Sequence, residues 1–148
     1  MPIMNDQTKK RVAQLLGEKL QNPVTIVLLT GPDPHAQEYV EAAREIAGTL
    51  VESSNGLLSV QEIDISKDAA GAQKYGVTDM VPTIALLDAN GQDQNFRFHG
   101  APLGYEFSIL LDDLIDVSAQ ATRLTAEGRE AVKAIGEEAQ IYVFSTPG

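Results

Sequence analysis

The chain has 148 residues, enough for one domain with a buried core, or for one domain and part of another. Its 21 acidic side chains against 11 Lys and Arg give a formal net charge of -10, which argues against binding to nucleic-acid phosphates or anionic membranes. It contains no cysteine, so disulfides, thiolate catalysis and thiolate metal sites are excluded for this chain.

The first residues, Met-Pro-Ile-Met, have neither the basic nor the apolar segment of a secretory signal peptide. The longest apolar runs, such as Ile26 to Leu29, are only a few residues and far too short to span a membrane. We therefore expect no signal peptide, no membrane segment and a cytoplasmic location.

The chain is predicted to open with a helix that Asn5 or Asp6 caps and that Asn22-Pro23 stops after about Leu20. Its apolar residues recur at helical spacing: Val12, Leu15, Leu16 and Leu20. The run from Val24 to Leu29 is apolar without alternation, as expected of a strand covered on both faces. We predict that this strand is central in a sheet.

A second helix is predicted after the next turn, with Asp33 as its N-cap and Pro34 in its first turn, where a missing N–H costs nothing. A second strand is predicted from Leu57 to Ile65. Val60 and Ile63 are three residues apart, so their side chains would lie on opposite faces of a regular strand. Either both faces of the strand are covered or a bulge intervenes.

The middle of the chain predicts a short helix followed by a hairpin. The helix spans Lys67 to Tyr75, and Pro82, which has no N–H for a sheet ladder, opens a strand from Thr83 to Asp88. Asn90-Gly91 is a strong turn signal, so Gln94 to His99 is predicted to return as an antiparallel strand.

The next segment predicts an amphipathic helix from Leu103 to about Val117. Its apolar residues lie at i, i+3, i+4, i+7 and i+8: Phe107, Leu110, Leu111, Leu114 and Ile115. The acidic side chains of the other face, Asp112, Asp113 and Asp116, are expected to be solvated rather than to form a catalytic or metal site.

The last 30 residues predict a polar link, a helix from Thr125 to Ile135 and a strand from Gln140 to Phe144. This order repeats the opening of the chain, because a Gly-Glu pair precedes an apolar strand in both places. We therefore expect one unit over residues 1–118, and over residues 119–148 a linker and the start of a second unit.

Two motifs carry a family resemblance. A Val-Pro-Thr corner at residues 81–83, before a hairpin and after a βα unit, is the pattern of the thioredoxin and glutaredoxin fold. The run RFHGAPLGYEF, Arg97 to Phe107, resembles the end of the first unit in tandem protein disulfide oxidoreductases, which include glutaredoxin-like proteins. It is also similar to the N-terminal domain of the alkyl hydroperoxide reductase flavoprotein subunit. The resemblance covers nearly the whole chain.

The resemblance implies an α/β thioredoxin-like fold. We expect a mixed four-stranded sheet with an extra N-terminal helix, followed by the first helix and strand of a second unit. In the family, Cys-x-x-Cys lies between the first strand and the second helix, where a helix N-terminus lowers the pKa of the leading thiol. The matching positions here are Pro34, His35, Ala36 and Gln37. Both sulfurs are missing, so the loop is a degenerate active site.

The resemblance also implies a site for an extended peptide at Val81 and Pro82. A Val81–Pro82 bond in the cis form would leave the backbone of Val81 free to pair with such a segment. The cis form of an X-Pro bond is only about 0.5 to 1 kcal/mol less stable than the trans form. A trans proline that opens an ordinary strand is the alternative.

No other catalytic or metal pattern is present. His35 at a helix start is able to act as an acid, a base or an anion contact, but no neighbouring Ser, Thr or carboxylate completes a pair, so a solvent-facing role is expected. With two histidines and no ligand spacing, we expect no metal, no cofactor and no catalytic residue in this chain.

Three functions remain open. The first is a redox-inactive thioredoxin-like domain with a structural or partner-docking role in a protein disulfide oxidoreductase-like protein. The second is part of an active thiol-disulfide oxidoreductase, or of a peroxiredoxin-reducing system, whose Cys-x-x-Cys lies beyond residue 148. The third is a stand-alone peptide-binding module. A protein or peptide partner is expected, with a homo-oligomer through the C-terminal strand as one form of it.

Overall fold

The structure is a computed structural model that describes residues 2–146. Five helices lie in this part of the chain: α1 (Asp6–Lys19), α2 (Gln37–Glu52), α3 (Ala69–Lys74), α4 (Tyr105–Ala119) and α5 (Ala126–Lys133). The strands are β1 (Val24–Thr30), β2 (Leu58–Asp64), β3 (Thr83–Leu87) and β4 (Phe98–His99).

The four strands form one mixed sheet in the order β2-β1-β3-β4. The pair β1–β2 is parallel, whereas β1–β3 and β3–β4 are antiparallel. The predicted central position of β1 is therefore confirmed, as is the mixed four-stranded sheet preceded by an extra helix. The pairing of β1 with β2 is continuous from Val24 and Leu58 to Thr30 and Asp64, so β2 contains no bulge.

Each face of the sheet carries its own apolar layer. Helices α1, α2 and α4 cover one face, where the side chains of Leu16, Leu50 and Leu114 are fully buried against Ile26 and Ile84. On the other face, the short α3 and the segment after it cover a smaller cluster: Val27, Leu29, Ile63, Tyr75, Val77, Ala85 and Leu87. The apolar, non-alternating sequence of β1 follows from this coverage, because its side chains enter both layers.

Local capping explains where three of the helices begin. The side chain of Asn5 accepts the N–H of Thr8 at 2.8 Å at the start of α1, as predicted. Asp68 accepts the N–H of Gly71 at 2.8 Å at the start of α3, and Thr125 accepts that of Gly128 at 3.1 Å at the start of α5.

The fourth strand is shorter than the predicted segment from Gln94 to His99. Only Phe98 and His99 belong to it, and Asp93 makes a single bridge to Leu87. The intervening chain turns, because Asn95 has a positive φ of 59° and donates its N–H to the carboxylate of Asp93 at 3.0 Å. This local turn interrupts the antiparallel pairing between β3 and the return strand, which a regular hairpin would continue.

The prediction of a C-terminal strand from Gln140 to Phe144 is wrong for the described part of the chain. Residues 140–146 form no strand, and no backbone hydrogen bond pairs them with another segment in residues 2–146. The predicted helix before it is present as α5, and none of its residues is buried. A strand needs a neighbouring strand to satisfy its backbone, and this segment pairs with none of the strands in residues 2–146.

The Val81–Pro82 peptide bond is cis. None of the helices in residues 2–146 combines the length and the apolar character that crossing a membrane requires.

Candidate functional site

The loop predicted to be a degenerate active site, residues 34–37, leads from β1 into α2. Pro34 and His35 are exposed in it, Ala36 is buried, and Gln37 is the first residue of the helix. The side-chain amide of Gln37 donates to the carbonyl of Gly31 at 3.1 Å. This hydrogen bond ties the helix start to the end of β1.

The helix begins three residues later than predicted, and Asp33 is not its N-cap. The carboxylate of Asp33 accepts the N–H of His35 at 2.9 Å, and its carbonyl accepts the N–H of Ala36 at 3.1 Å. These bonds make a turn of Pro34 to Ala36 instead of the first helical turn. Ala36 is the N-cap, and its side chain gives α2 no capping hydrogen bond.

The loop and the Val-Pro-Thr corner meet at Gly31. A Cβ atom at this position would lie 3.0 Å from Cγ1 of Ile65 and 3.5 Å from Cγ1 of Val81. The close approach explains the glycine, because any larger residue would displace one of these side chains. The end of β1 therefore lies directly against the corner.

The backbone of Val81 is open. Neither its N–H nor its C=O has a hydrogen-bond partner among residues 2–146, whereas the next carbonyl, that of Pro82, accepts the N–H of Gly100 at 2.8 Å. Val81 is half-buried and Met80 is 49% exposed. An extended segment lying beside this corner would find one donor and one acceptor on the same residue.

His99 takes part in this corner, although the sequence pattern gave it no role. Its Nδ1 lies 2.7 Å from Oγ1 of Thr83, and the same hydroxyl lies 2.6 Å from the carbonyl of Met80. A carbonyl only accepts, so the hydroxyl of Thr83 donates its hydrogen bond to Met80 and accepts one from the Nδ1–H of His99. His99 therefore carries a proton on Nδ1, and its Nε2 is the free ring atom.

The surroundings of His99 favour the neutral ring. Burial of the imidazole lowers the pKa of His99 below its usual 6.5, and the nearby positive charge of Arg97 lowers it further. Arg97 itself is held by two hydrogen bonds to the carboxylate of Asp93, at 2.8 and 2.6 Å. No carboxylate hydrogen-bonds to the His99 ring among residues 2–146, so the ring lacks the partner of a catalytic dyad.

A polar cleft of about 500 Å³ lies where β1 and β2 end, beside the start of α2. Its charges are already paired, since Arg44 binds Glu62 at 2.6 Å and Lys67 binds Asp64 at 3.0 Å. The hydrogen bond from Arg44 lowers the pKa of Glu62, and hydrogen bonds from Ser66 and Lys67 lower the pKa of Asp64 to about 2. The cleft therefore offers a ligand no unpaired charge of its own.

The C-terminal segment presents an unusual amount of apolar side chain. Its exposed fractions are 85% for Ile141, 66% for Tyr142, 87% for Val143 and 92% for Phe144. The rings of Tyr142 and Phe144 lie 6.4 Å apart and nearly parallel. A hydrogen bond from the hydroxyl of Ser145 to the carboxylate of Glu106 joins the segment to the first turn of α4.

The corner offers one open backbone donor and one open backbone acceptor, both on Val81. The loop holds no sulfur, and the described residues contain no cluster of three or more His, Asp or Glu side chains placed to bind a metal. Of the predicted site residues, Val81 lies against Gly31, just before the loop, whereas the ring of His35 makes no hydrogen bond among residues 2–146. The register of β3 with β4 brings in Thr83 and His99.

Comparison with known proteins agrees with this architecture. No protein-family model matches the chain. Over 132 residues it is 26% identical to the alkyl hydroperoxide reductase protein AhpF of Pseudomonas aeruginosa, covering 89% of this chain but only 22% of that protein. The whole relative is thus several times longer than the matched part.

Two solved structures superpose well. One is the alkyl hydroperoxide reductase protein AhpF of Enterococcus faecalis as a cysteine-to-alanine mutant, with a TM-score of 0.74, 19% identity, and coverage of 88% of this chain and 60% of that one. The other is a protein disulfide oxidoreductase of Aeropyrum pernix, with a TM-score of 0.76, 23% identity, and coverage of 88% and 55%. This chain spans little more than half of either. Its fold is thioredoxin-like, and it resembles domains of disulfide oxidoreductases.

Proposed function

We propose that this chain is a redox-inactive thioredoxin-like domain with a structural or partner-docking role in a protein disulfide oxidoreductase-like protein. One observation carries the proposal: the loop from β1 into α2 is held by hydrogen bonds of Asp33 and Gln37, yet its four positions are Pro, His, Ala and Gln. Dithiol exchange requires thiolates, so the scaffold is kept without its chemistry.

Two surfaces support a docking role. The first is the corner at Val81, where an open backbone donor and acceptor lie beside the exposed Met80. The second is the segment 141–144, whose apolar side chains are mostly exposed to solvent. In this proposal, residues 1–118 form the docking domain, and residues 119–148 lead into a partner unit in a cytoplasmic system of cell redox homeostasis.

An insulin-disulfide reduction assay with dithiothreitol tests the absence of redox activity. The chain is expected to give the rate of the reductant alone, because it has no sulfur nucleophile. Turnover above that rate would show that the proposal is wrong. A thioredoxin run in parallel establishes that the assay detects an active dithiol.

A second candidate function is favoured by the lengths of the relatives. The chain covers 60% and 55% of the two solved structures, and 22% of the curated relative. In this alternative it is part of an active thiol-disulfide oxidoreductase, or of a peroxiredoxin-reducing system, with Cys-x-x-Cys beyond residue 148. The coding sequence downstream decides: a Cys-x-x-Cys shortly after Gly148 would support this alternative, and a stop codon would exclude it.

A third candidate is a stand-alone peptide-binding module that uses the open backbone of Val81. Titration with an extended peptide, followed by amide NMR, tests it. Selective shifts of the Val81 and Thr83 amides would support binding there, whereas shifts confined to residues 141–144 would favour docking through the C-terminal segment. A homo-oligomer that forms through residues 141–144 is one form of such docking. Sedimentation of a chain that lacks this segment tests for it.

A further inference from the structure

The outer edge of β2 is a second recognition surface, separate from the corner at Val81. In the sheet order, β2 pairs with β1 and with no other strand of residues 2–146. Every second residue of an edge strand directs its backbone N–H and C=O away from the sheet. The edge is seven residues long and accessible, since Ser59, Gln61 and Glu62 are exposed and Val60 is 39% exposed.

The register identifies the outward groups. Val24 donates to the carbonyl of Leu57 at 2.9 Å, and Ile65 donates to that of Thr30 at 2.8 Å. In a parallel pair, these bonds assign the odd-numbered residues of β2 to the ladder with β1. The even-numbered residues therefore direct their backbone groups outward: Leu58, Val60, Glu62 and Asp64.

Two of these outward groups already have partners within the chain. The N–H of Leu58 donates to the hydroxyl of Ser54 at 3.0 Å. The carbonyl of Asp64 accepts the N–H groups of Lys67 and Asp68, at 3.0 and 2.9 Å. The groups that remain unpaired in residues 2–146 are the carbonyl of Leu58, both groups of Val60, both groups of Glu62 and the N–H of Asp64.

This edge lacks proline and bulges, two features that normally prevent sheet-to-sheet association, and its two charged side chains, Glu62 and Asp64, are already paired with Arg44 and Lys67. Between Leu58 and Asp64 there is no Pro, Lys or Arg, and the ladder has no bulge. Val60 adds an exposed β-branched apolar side chain at the middle of the strand. The edge is thus competent to accept another strand.

We propose that this edge pairs with β2 of a second copy of the chain, antiparallel, with Val60 opposite Glu62. This register matches the free groups one to one. Val60 and Glu62 exchange both of their bonds, and the N–H of Asp64 meets the carbonyl of Leu58. The remaining pair would join the N–H of Leu58 to the carbonyl of Asp64, and these are the two groups already satisfied within each chain. No free donor or acceptor is left over.

The charges favour the same register over the slip that sets Glu62 opposite Glu62. A slip that sets Glu62 opposite Glu62 juxtaposes like charges, which destabilises a cross-strand pair. In the proposed register Glu62 faces Val60, and its charge is balanced within its own chain by two hydrogen bonds from Arg44, at 3.1 and 2.6 Å. The net charge of -10 on each chain still opposes association at long range, so salt strengthens the dimer by screening.

Sedimentation velocity of the full chain tests the proposal. The expected result is a monomer–dimer equilibrium whose dissociation constant falls several-fold when the NaCl concentration of the experiment rises from about 0.05 to about 0.5 M. These concentrations lie on either side of about 0.1 M, where the Debye length is about 10 Å. Val60→Lys is expected to abolish the dimer. The matched control is Val132→Lys, the same charge change at another exposed valine, 53% exposed on α5, which should leave the dimer intact.

Amide hydrogen exchange of the unmodified chain gives an answer that does not depend on any variant folding. Raising the protein concentration until about nine-tenths of the chains are dimeric should slow exchange at Val60 and Glu62 about tenfold. The Gln61 amide faces β1, so it should stay slow throughout and serves as the internal reference.

Several outcomes would overturn the proposal. A chain that stays monomeric at high concentration and high salt excludes it, and so does a Val60→Lys variant that dimerises like the parent. A dimer lost on deletion of residues 137–148 but kept in Val60→Lys would assign association to the C-terminal segment. Protection of Val60 and Glu62 that appears only with an added extended peptide would assign the edge to a foreign strand.

Discussion

Thr83 and His99 lie opposite each other in the pairing of β3 with β4, and the ring Nδ1 of His99 donates to the hydroxyl of Thr83 at 2.7 Å. Thr83 is fully buried, and its hydroxyl donates a hydrogen bond to the carbonyl of Met80 at 2.6 Å. These two hydrogen bonds tie the edge strand to the segment that precedes Pro82. It also holds the histidine with its Nε2 free, beside the open backbone of Val81.

The first prediction concerns the titration of His99. Burial and Arg97 lower its pKa, so the unfolded chain binds more protons than the folded one just below pH 6.5. Stability should therefore be full above pH 6.5 and fall as the pH drops through the folded value. NMR titration of the ring checks this, with His35→Gln leaving one histidine for assignment. A folded pKa at or above 6.5 would contradict the described environment.

Local signals predicted the parts of this fold that depend on few residues. The cap at Asn5, the apolar run of β1 and the proline that opens β3 each act within one element, so the sequence alone indicates them. Thr83 and His99 are 16 residues apart and meet only through the register of a hairpin with an irregular return strand. Sequence spacing could not supply that register.

The errors share a physical cause as well. Asp33 has the residue type of a helix cap, but its carboxylate satisfies the N–H of His35 in a turn, and both uses are available to an Asp before a Pro. Gln140 to Phe144 has a strand sequence, yet a strand forms only where another backbone is available to pair with it. A competing local bond decided the first case, and the absence of backbone pairing decided the second.

The second prediction restores sulfur to the loop. Pro34→Cys combined with Gln37→Cys should give a folded protein that forms an internal disulfide, because the turn of Pro34 to Ala36 leads directly into Gln37, the first residue of α2, and so places two cysteines at Cys-x-x-Cys spacing. Free-thiol titration before and after oxidation, with mass spectrometry, measures it. The single variant Pro34→Cys is the control and should form no internal bridge. A folded double variant that never oxidises would show that the loop has been aligned wrongly.

The third prediction concerns the hydroxyl of Tyr75. The side chain is 3% exposed, and its Oη has no hydrogen-bond partner among residues 2–146. Removing an unsatisfied buried hydroxyl recovers its desolvation cost, so Tyr75→Phe should leave stability unchanged or raise it by about 1 kcal/mol. The guanidinium of Arg97, 5.5 Å above the ring, should remain in place over phenylalanine. Urea unfolding checks the value, and a loss of more than about 1 kcal/mol would show that the hydroxyl is bonded in solution.

The fourth prediction concerns acid stability at the end of β2. The pKa of Asp64 is lowered from 3.8 to about 2, chiefly by a hydrogen bond from Ser66 and then by one from Lys67. A depressed carboxylate contributes stability above its unfolded pKa and loses it as the pH falls through the folded value, so this contribution disappears between pH 3.8 and about 2. Asp64→Asn should flatten the stability curve in that window. Asp79→Asn, which removes another exposed carboxylate, is the matched control for the loss of one charge.

The final prediction concerns the C-terminal segment. Deleting Glu137 to Gly148 should leave the thermal midpoint within about 1 °C of the parent, because residues 137–146 bury no side chain and the hydroxyl of Ser145 makes their one side-chain hydrogen bond to the body. The deletion should reduce binding of a hydrophobic dye, because it removes the exposed side chains of residues 141–144.

The double variant Ile141→Ser with Phe144→Ser is the matched control. It keeps the chain length and should also lower dye binding. A midpoint that falls by several degrees on deletion would mean that the segment packs on the body in solution. The exposed apolar segment would then be part of the domain's own core rather than a surface for a partner.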